Sequence, residues 1–90
     1  MKFGKFLKAK REEMHLTLDE LALMCGVSSI YLYDIENDQT DTFAEGIFYK
    51  MANILSIDGD EFIIKSGRIP KWAYKYIIRN WPQVKASLMH

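Results

Sequence analysis

The sequence predicts an all-α fold, a compact five-helix domain followed by one or two extra C-terminal helices. Two observations lead there. The stretch LTLDELALMCGVSSIYLYDIEN, Leu16 to Asn37, reads as two short helices joined by a tight turn, and the segments on either side repeat their apolar residues at helical spacing. A third sets the scale: ninety residues suffice for one domain with a single small core.

Taken in order, a first helix is expected from about Lys2 to Met14, with Phe3, Phe6, Leu7 and Met14 inside and Lys5, Lys8 and Lys10 outside. His15 ends it. Histidine tolerates positive φ better than most side chains, at a cost of about 1 kcal/mol, so it reads as a strained cap. Thr17 and Glu20 have the spacing of a capping box, which starts a helix at Leu18 with Leu21, Ala22 and Cys25 on its inner stripe. Gly26 supplies the positive φ at its end. Ser28 caps the next helix, which runs to about Asn37 with Val27, Leu32 and Ile35 on its apolar side. Thr42 to Ser56 forms a further helix with Ile47, Phe48, Met51, Ala52 and Leu55 inward, and Asp60 caps a short fifth helix ending near Lys65. Gly67 stops that helix, Pro70 opens another that reaches about Asn80, and Pro82 begins a last one with Val84 and Leu88 inward.

Net charge is zero, but the charges are segregated. Residues 1–15 carry five basic and two acidic groups, residues 16–62 one basic and ten acidic, and residues 63–90 six basic and none acidic. Either the basic ends fold back on the acidic middle, or they form a rim that contacts phosphates. The one cysteine, Cys25, falls on a buried stripe and reads as a core residue in a reducing compartment. His15 and His90 have no ligand spacing, and the acidic turn from Asp58 to Glu61 lacks the ligand pattern of a calcium loop, so no metal or cofactor is expected. No run of 18 apolar residues and no signal-peptide pattern occurs, which points to the cytoplasm. No acid–base pair, nucleophile constellation or Gly-rich phosphate loop suggests an enzyme, and no effector pocket is evident.

Lys8, Lys10, Arg11, Leu16, Glu20, Leu21, Ala22, Gly26, Leu32, Ile35, Glu36 and Asn37 stand in the order of the XRE/Cro family of phage and bacterial repressors, which the chain resembles over nearly its whole length. The resemblance implies a repressor-like domain over residues 1–66, with its helix-turn-helix at about 17–37, and a basic, aromatic-rich helical extension over 67–90 packed on the same domain. It further implies that Arg11 pairs with Glu36 as a structural tie. The second helix of the motif would enter the major groove of double-stranded DNA with Ser28, Ser29, Ile30, Tyr33 and Asp34 facing bases. Lys8, Lys10, Thr17, Tyr31, Asn37 and Gln39 would face the DNA backbone.

Departures from the family run in one direction. Leu18 stands where relatives carry a backbone-contacting Gln, Asp38 where they have Gly, Gln39 where they have a basic residue, and Asp41 and Thr42 where they often have Arg, Lys or Pro. Each change removes a phosphate donor, adds negative charge or restricts the backbone. In the extension, the apolar residues occupy more than one helix face, more than so small a domain buries against itself. Trp72, Tyr76, Ile77, Trp81 and Leu88 are therefore expected at a homodimer surface. Lys65, Arg68, Lys71, Lys75 and Arg79 have two uses open to them, on phosphates flanking a site or on the acidic middle of the same or a neighbouring subunit. The expected function is a sequence-specific DNA-binding transcriptional regulator, a dimeric repressor on a palindromic site. The alternative is a protein-interaction module whose acidic face takes a basic partner; no membrane role is expected.

Overall fold

The computed structural model describes residues 2–88, and these form helices without strands: α1 (Phe3–Glu13), α2 (Leu18–Cys25), α3 (Ser29–Glu36), α4 (Glu45–Ile54), α5 (Gly59–Lys65), α6 (Lys71–Arg79) and α7 (Trp81–Leu88). His90 lies outside the described residues. The all-α expectation is met, and none of these helices is long and apolar enough to cross a membrane.

Both halves of the capping box form: the Glu20 amide donates to Thr17 Oγ1 at 3.1 Å, and the Thr17 amide to Glu20 Oε1 at 2.9 Å. These bonds hold the Glu20 carboxyl below its usual range. Gly26 ends α2 with φ 73°, and Ser28 Oγ accepts from the Tyr31 amide at 3.0 Å to start α3. His15 takes φ 57°, the strained turn its position suggested. Asp38 takes φ 54° where glycine would be at ease, and its Oδ1 accepts from the Gly4 amide at 3.2 Å. Gly4 is required there: a Cβ on it would run into the Glu36 carbonyl. The backbones of α1 and α3 thus meet without an intervening side chain.

One core joins α1 to α5. Leu7, Leu21, Leu32, Phe48, Met51, Phe62 and Ile63 are fully enclosed, with Phe3, Phe6, Leu18, Tyr31 and Phe43 packed at its margin. Phe3 stacks on Phe48 at 6.0 Å and meets Phe62 edge-on at 5.1 Å, contacts aromatic pairs favour. Cys25 is buried and free, and burial pushes its thiol pKa up.

The structure corrects several sequence expectations. Met14 is 42% exposed, because α1 stops at Glu13 and the turn at His15 swings the chain so that Leu16 takes the inner place. α4 begins at Glu45 rather than Thr42: Thr40 Oγ1 accepts the Thr42 amide at 3.1 Å, and Phe43 leaves the helical path to pack edge-on against Phe48 at 4.7 Å. α5 is capped by Asp58, which accepts the Glu61 amide at 3.0 Å; the carboxylate of Asp60 points elsewhere. Leu88 is 74% exposed, since α7 starts one residue beyond α6 and neither helix buries a residue against the five-helix body. The extension meets the five-helix body at its root, through buried Pro70 and the polar contacts of Arg68, Lys71 and Trp72, and gives the molecule a long axis of 45 Å against 24 and 23 Å.

Candidate nucleic-acid interface

α2 braces α3 from behind. Leu32 and Ile35 anchor one side of α3 in the core, which leaves the other side free of packing duty. On that free side Ser28 is exposed, Ile30 is 75% exposed and Tyr33 55% exposed, while Ser29 and Asp34 are half-buried. The five residues expected to face bases therefore lie at the N-terminal end and along one solvent side of α3. Two serines already have tasks: Ser28 is the helix cap, and Ser29 Oγ donates to Asp19 Oδ1, tying the starts of α3 and α2 together. Their remaining lone pairs can still accept.

The far end of α3 is fixed by charge. Arg11 Nε donates to Glu36 Oε2 at 2.7 Å and Nη2 to Oε1 at 3.0 Å, a two-pronged pair whose side chains are 10% and 4% exposed. Arg11 Nη1 also donates to the Leu16 carbonyl at 2.9 Å. The hydrogen bond to Glu36 raises the Arg11 pKa against the opposing effect of burial. The geometry is that of the structural tie expected of Arg11 and Glu36. It fixes the end of α3 to both α1 and the chain entering α2.

Among the residues expected to face the DNA backbone, Lys8 and Thr17 are exposed, and Thr17 Oγ1 is engaged in the capping box. Lys10 lies 3.4 Å from Glu13 and over the Phe6 ring at 5.8 Å. Asn37 Nδ2 donates to the Tyr33 carbonyl at 2.8 Å, and Gln39 Nε2 to the Asn37 carbonyl at 3.1 Å, so one N–H of each remains for a phosphate. Tyr31 is a correction. Its hydroxyl is buried, with no hydrogen-bond partner among the described residues, so it does not reach a phosphate from this position. Burial raises its pKa, partly offset by the charge of Arg68. Tyr31 is an inner residue because its ring joins the margin of the core.

The surface around α2 and α3 is acidic: no Lys or Arg occurs between residues 16 and 49, whereas Asp19, Glu20, Asp34, Asp38 and Asp41 do. Hydroxyls, amides, a phenol and the exposed alkyl groups of Leu23 and Ile30 make this a face for hydrogen bonding and methyl contact.

The extension supplies an independent exposed face. Trp72, Tyr76, Trp81 and Leu88 are exposed and Ile77 is half-buried. At its root Asp60 Oδ1 accepts from both Tyr49 Oη at 2.6 Å and Trp72 Nε1 at 3.0 Å, while Glu45 Oε2 accepts the Lys71 amide at 2.8 Å. Sequence reasoning missed this junction, and missed the Asp19–Ser29 tie. Neither pair lies at a helical spacing, so no local pattern signals them.

The model of the Helix-turn-helix family HTH_3 matches residues 7–62, the stretch from mid-α1 to α5. The transcriptional repressor RghR of Bacillus subtilis is 36% identical over 67 residues, which are 74% of this chain and 50% of that protein; the chain thus spans about half the length of the curated relative it matches. The biofilm master regulator SinR, in a structure with DNA, is 27% identical over 67% of this chain and 95% of its own, with a TM-score of 0.61. A chain of the SinR protein/SinI protein complex shares the fold over 96% of this chain and 90% of its own, with 21% identity and a TM-score of 0.63. With the cap, turn and buried ion pair in place, the chain belongs to the helix-turn-helix family of XRE/Cro type.

Proposed function

We propose that the protein is a sequence-specific, duplex-DNA-binding transcriptional regulator that works in the cytoplasm by binding and not by catalysis. The observation that carries this is the free side of α3, which is held rigidly at both ends yet contributes nothing on that side to the core. A rigid helix with an unoccupied polar side is what major-groove reading requires. Ile30 meets a thymine methyl, Tyr33 and the serines hydrogen-bond base edges, and Asp34 accepts from a cytosine amino group. Lys8, Lys10, Thr17, Asn37 and Gln39 position the helix on the backbone. RghR is named a repressor and SinR has been seen with DNA, which supports the same assignment here.

In this reading two copies pair through Trp72, Tyr76, Ile77, Trp81 and Leu88, and the pair binds a two-fold site. A single α3 lacks the bidentate Arg–guanine and Gln–adenine contacts that give most discrimination, so a second copy supplies needed affinity. The test is selection from a random duplex pool at low and near-physiological salt. Enrichment of a palindrome with half-sites about one helical turn apart, lost on Tyr33→Glu, is the expected result.

A second reading rests on the acidic surface of residues 16–49: the helix-turn-helix face takes a basic protein in place of DNA. No enrichment at any salt, together with salt-sensitive binding of a basic partner, would select it.

A further inference from the structure

The negative helix-turn-helix surface and the positive extension pose one problem together. A duplex carries one negative charge per about 1.7 Å of axis, and phosphate neutralisation by Lys and Arg supplies most sequence-independent affinity. Residues 1–66 hold seven cations against twelve anions, with none of the cations between residues 16 and 49. Residues 67–90 hold five cations, Arg68, Lys71, Lys75, Arg79 and Lys85, and no anion.

Three of those five form a line. Lys71, Lys75 and Arg79 are spaced by four residues along α6, so they share one stripe about 12 Å long. All three are exposed, and none has an ion-pair partner among the described residues, whose salt bridges are Lys10–Glu13 and Arg11–Glu36. The stripe is held at its start. The Lys71 amide is fastened to Glu45 and the Trp72 indole to Asp60, so the root of α6 is not a free linker. Arg68 Nη2 donates to the Asp41 carbonyl at 2.6 Å, which seats that root against the segment leaving α3.

We propose that the Lys71–Lys75–Arg79 stripe of α6 is a second duplex-contacting surface, gripping backbone phosphates beside the site read by α3 and supplying the cations that the helix-turn-helix unit lacks. The stripe rests on the reading of the protein as a DNA-binding regulator and adds to it where the phosphates are held. It is separate in role from the neighbouring aromatic residues: cations along the line meet a polyanion, and Trp72 and Tyr76 at its edge meet a second copy. Its contribution is independent of sequence, because a phosphate contact carries no base information.

The experiment compares the full chain with Lys71→Gln/Lys75→Gln/Arg79→Gln on a selected duplex and on a random one across a salt series, with sedimentation to fix the oligomeric state. Glutamine preserves helix propensity at these exposed positions, and circular dichroism checks the fold. Each phosphate contact contributes about 0.9 to the slope of log affinity against log salt, so the triple variant should lose about two to three units of slope per protomer. It should weaken both duplexes by a similar factor and keep its oligomeric state. An unchanged slope overturns the stripe while leaving DNA reading by α3 intact. Loss of the oligomer also overturns it, since the cations then serve contact between copies. A wild-type protein that binds neither duplex at low salt overturns the DNA-binding reading itself, and the stripe with it.

Discussion

α1 to α5 enclose a cluster of fully buried apolar side chains, whereas α6 and α7, drawn from sequence of similar apolar content, bury none. The difference lies in what each region has to pack against. In the body, α4 lies across α2 and α5, and α1 meets α3 so closely that Gly4 has no room for a side chain. In the extension, α7 follows one residue after α6, and neither helix encloses a side chain. The body is specified by burial, which fixes its shape whether or not a partner is present. The extension is specified by a few polar contacts at its root, and its exposed rings suit it to meet another surface. Rigid reading helix and adaptable arm are thus separated along the chain.

Mutations should divide along the same line. The largest effect is expected at the buried pair: Glu36→Ala leaves the Arg11 guanidinium enclosed without its counter-charge, at a cost of about 3–5 kcal/mol. Urea denaturation would show it as a lowered midpoint, and a loss below 1 kcal/mol would mean that water reaches Arg11 readily. Next comes the contrast of Leu21→Ala with Leu88→Ala. Leu21 is fully buried, so its truncation should cost about 2–5 kcal/mol. Leu88 is 74% exposed, and its loss should stay within about 0.5 kcal/mol for the single chain. If Leu88→Ala destabilises as much as Leu21→Ala at micromolar protein, and the effect fades on dilution, the extension is buried between copies and the contrast holds only for the isolated chain.

The sequence is most informative where structure is local. Thr17, Glu20, Gly26 and Ser28 announce α2, the turn and α3 because caps act over three or four residues, and the apolar stripes of α1 to α4 announce the core. Helix ends set by distant contacts are less legible. Nothing near Thr42 reveals that Phe43 will leave the helical path to meet Phe48, and Asp60, expected to cap α5, is claimed by Tyr49 and Trp72 while Asp58 takes that place. At the candidate interface, Ile30 and Tyr33 come from the family's positions, and both are exposed on the free side of α3. Tyr31 is the failure: two residues from Tyr33 on the helix, it turns its hydroxyl into the margin of the body, where family position suggested a phosphate contact.

The smallest effect, and the sharpest probe of the boundary between the two regions, belongs to Asp60. Its carboxylate accepts from Tyr49 and from Trp72, and these bonds, Tyr49 first, hold its pKa below the usual range, while the same contact pushes Tyr49 up to about 12. A carboxyl depressed in the folded state contributes stability above its unfolded value, about 3.9, and loses that contribution as pH falls through the folded value. A phenol raised in the folded state contributes below its unfolded value, about 10, and loses it as pH rises through the folded one. The junction should therefore be at full strength between about pH 4 and 10 and loosen outside that window. The indole N–H resonance of Trp72 should hold its position through neutral pH and move at both extremes. In Asp60→Ala it should sit near its solvent-exposed position throughout, with faster amide exchange in α6 and unchanged exchange in α2 and α3. A resonance that titrates near neutrality, or an α6 that exchanges as slowly in the variant as in the wild type, would show that something other than Asp60 fastens the arm to the body.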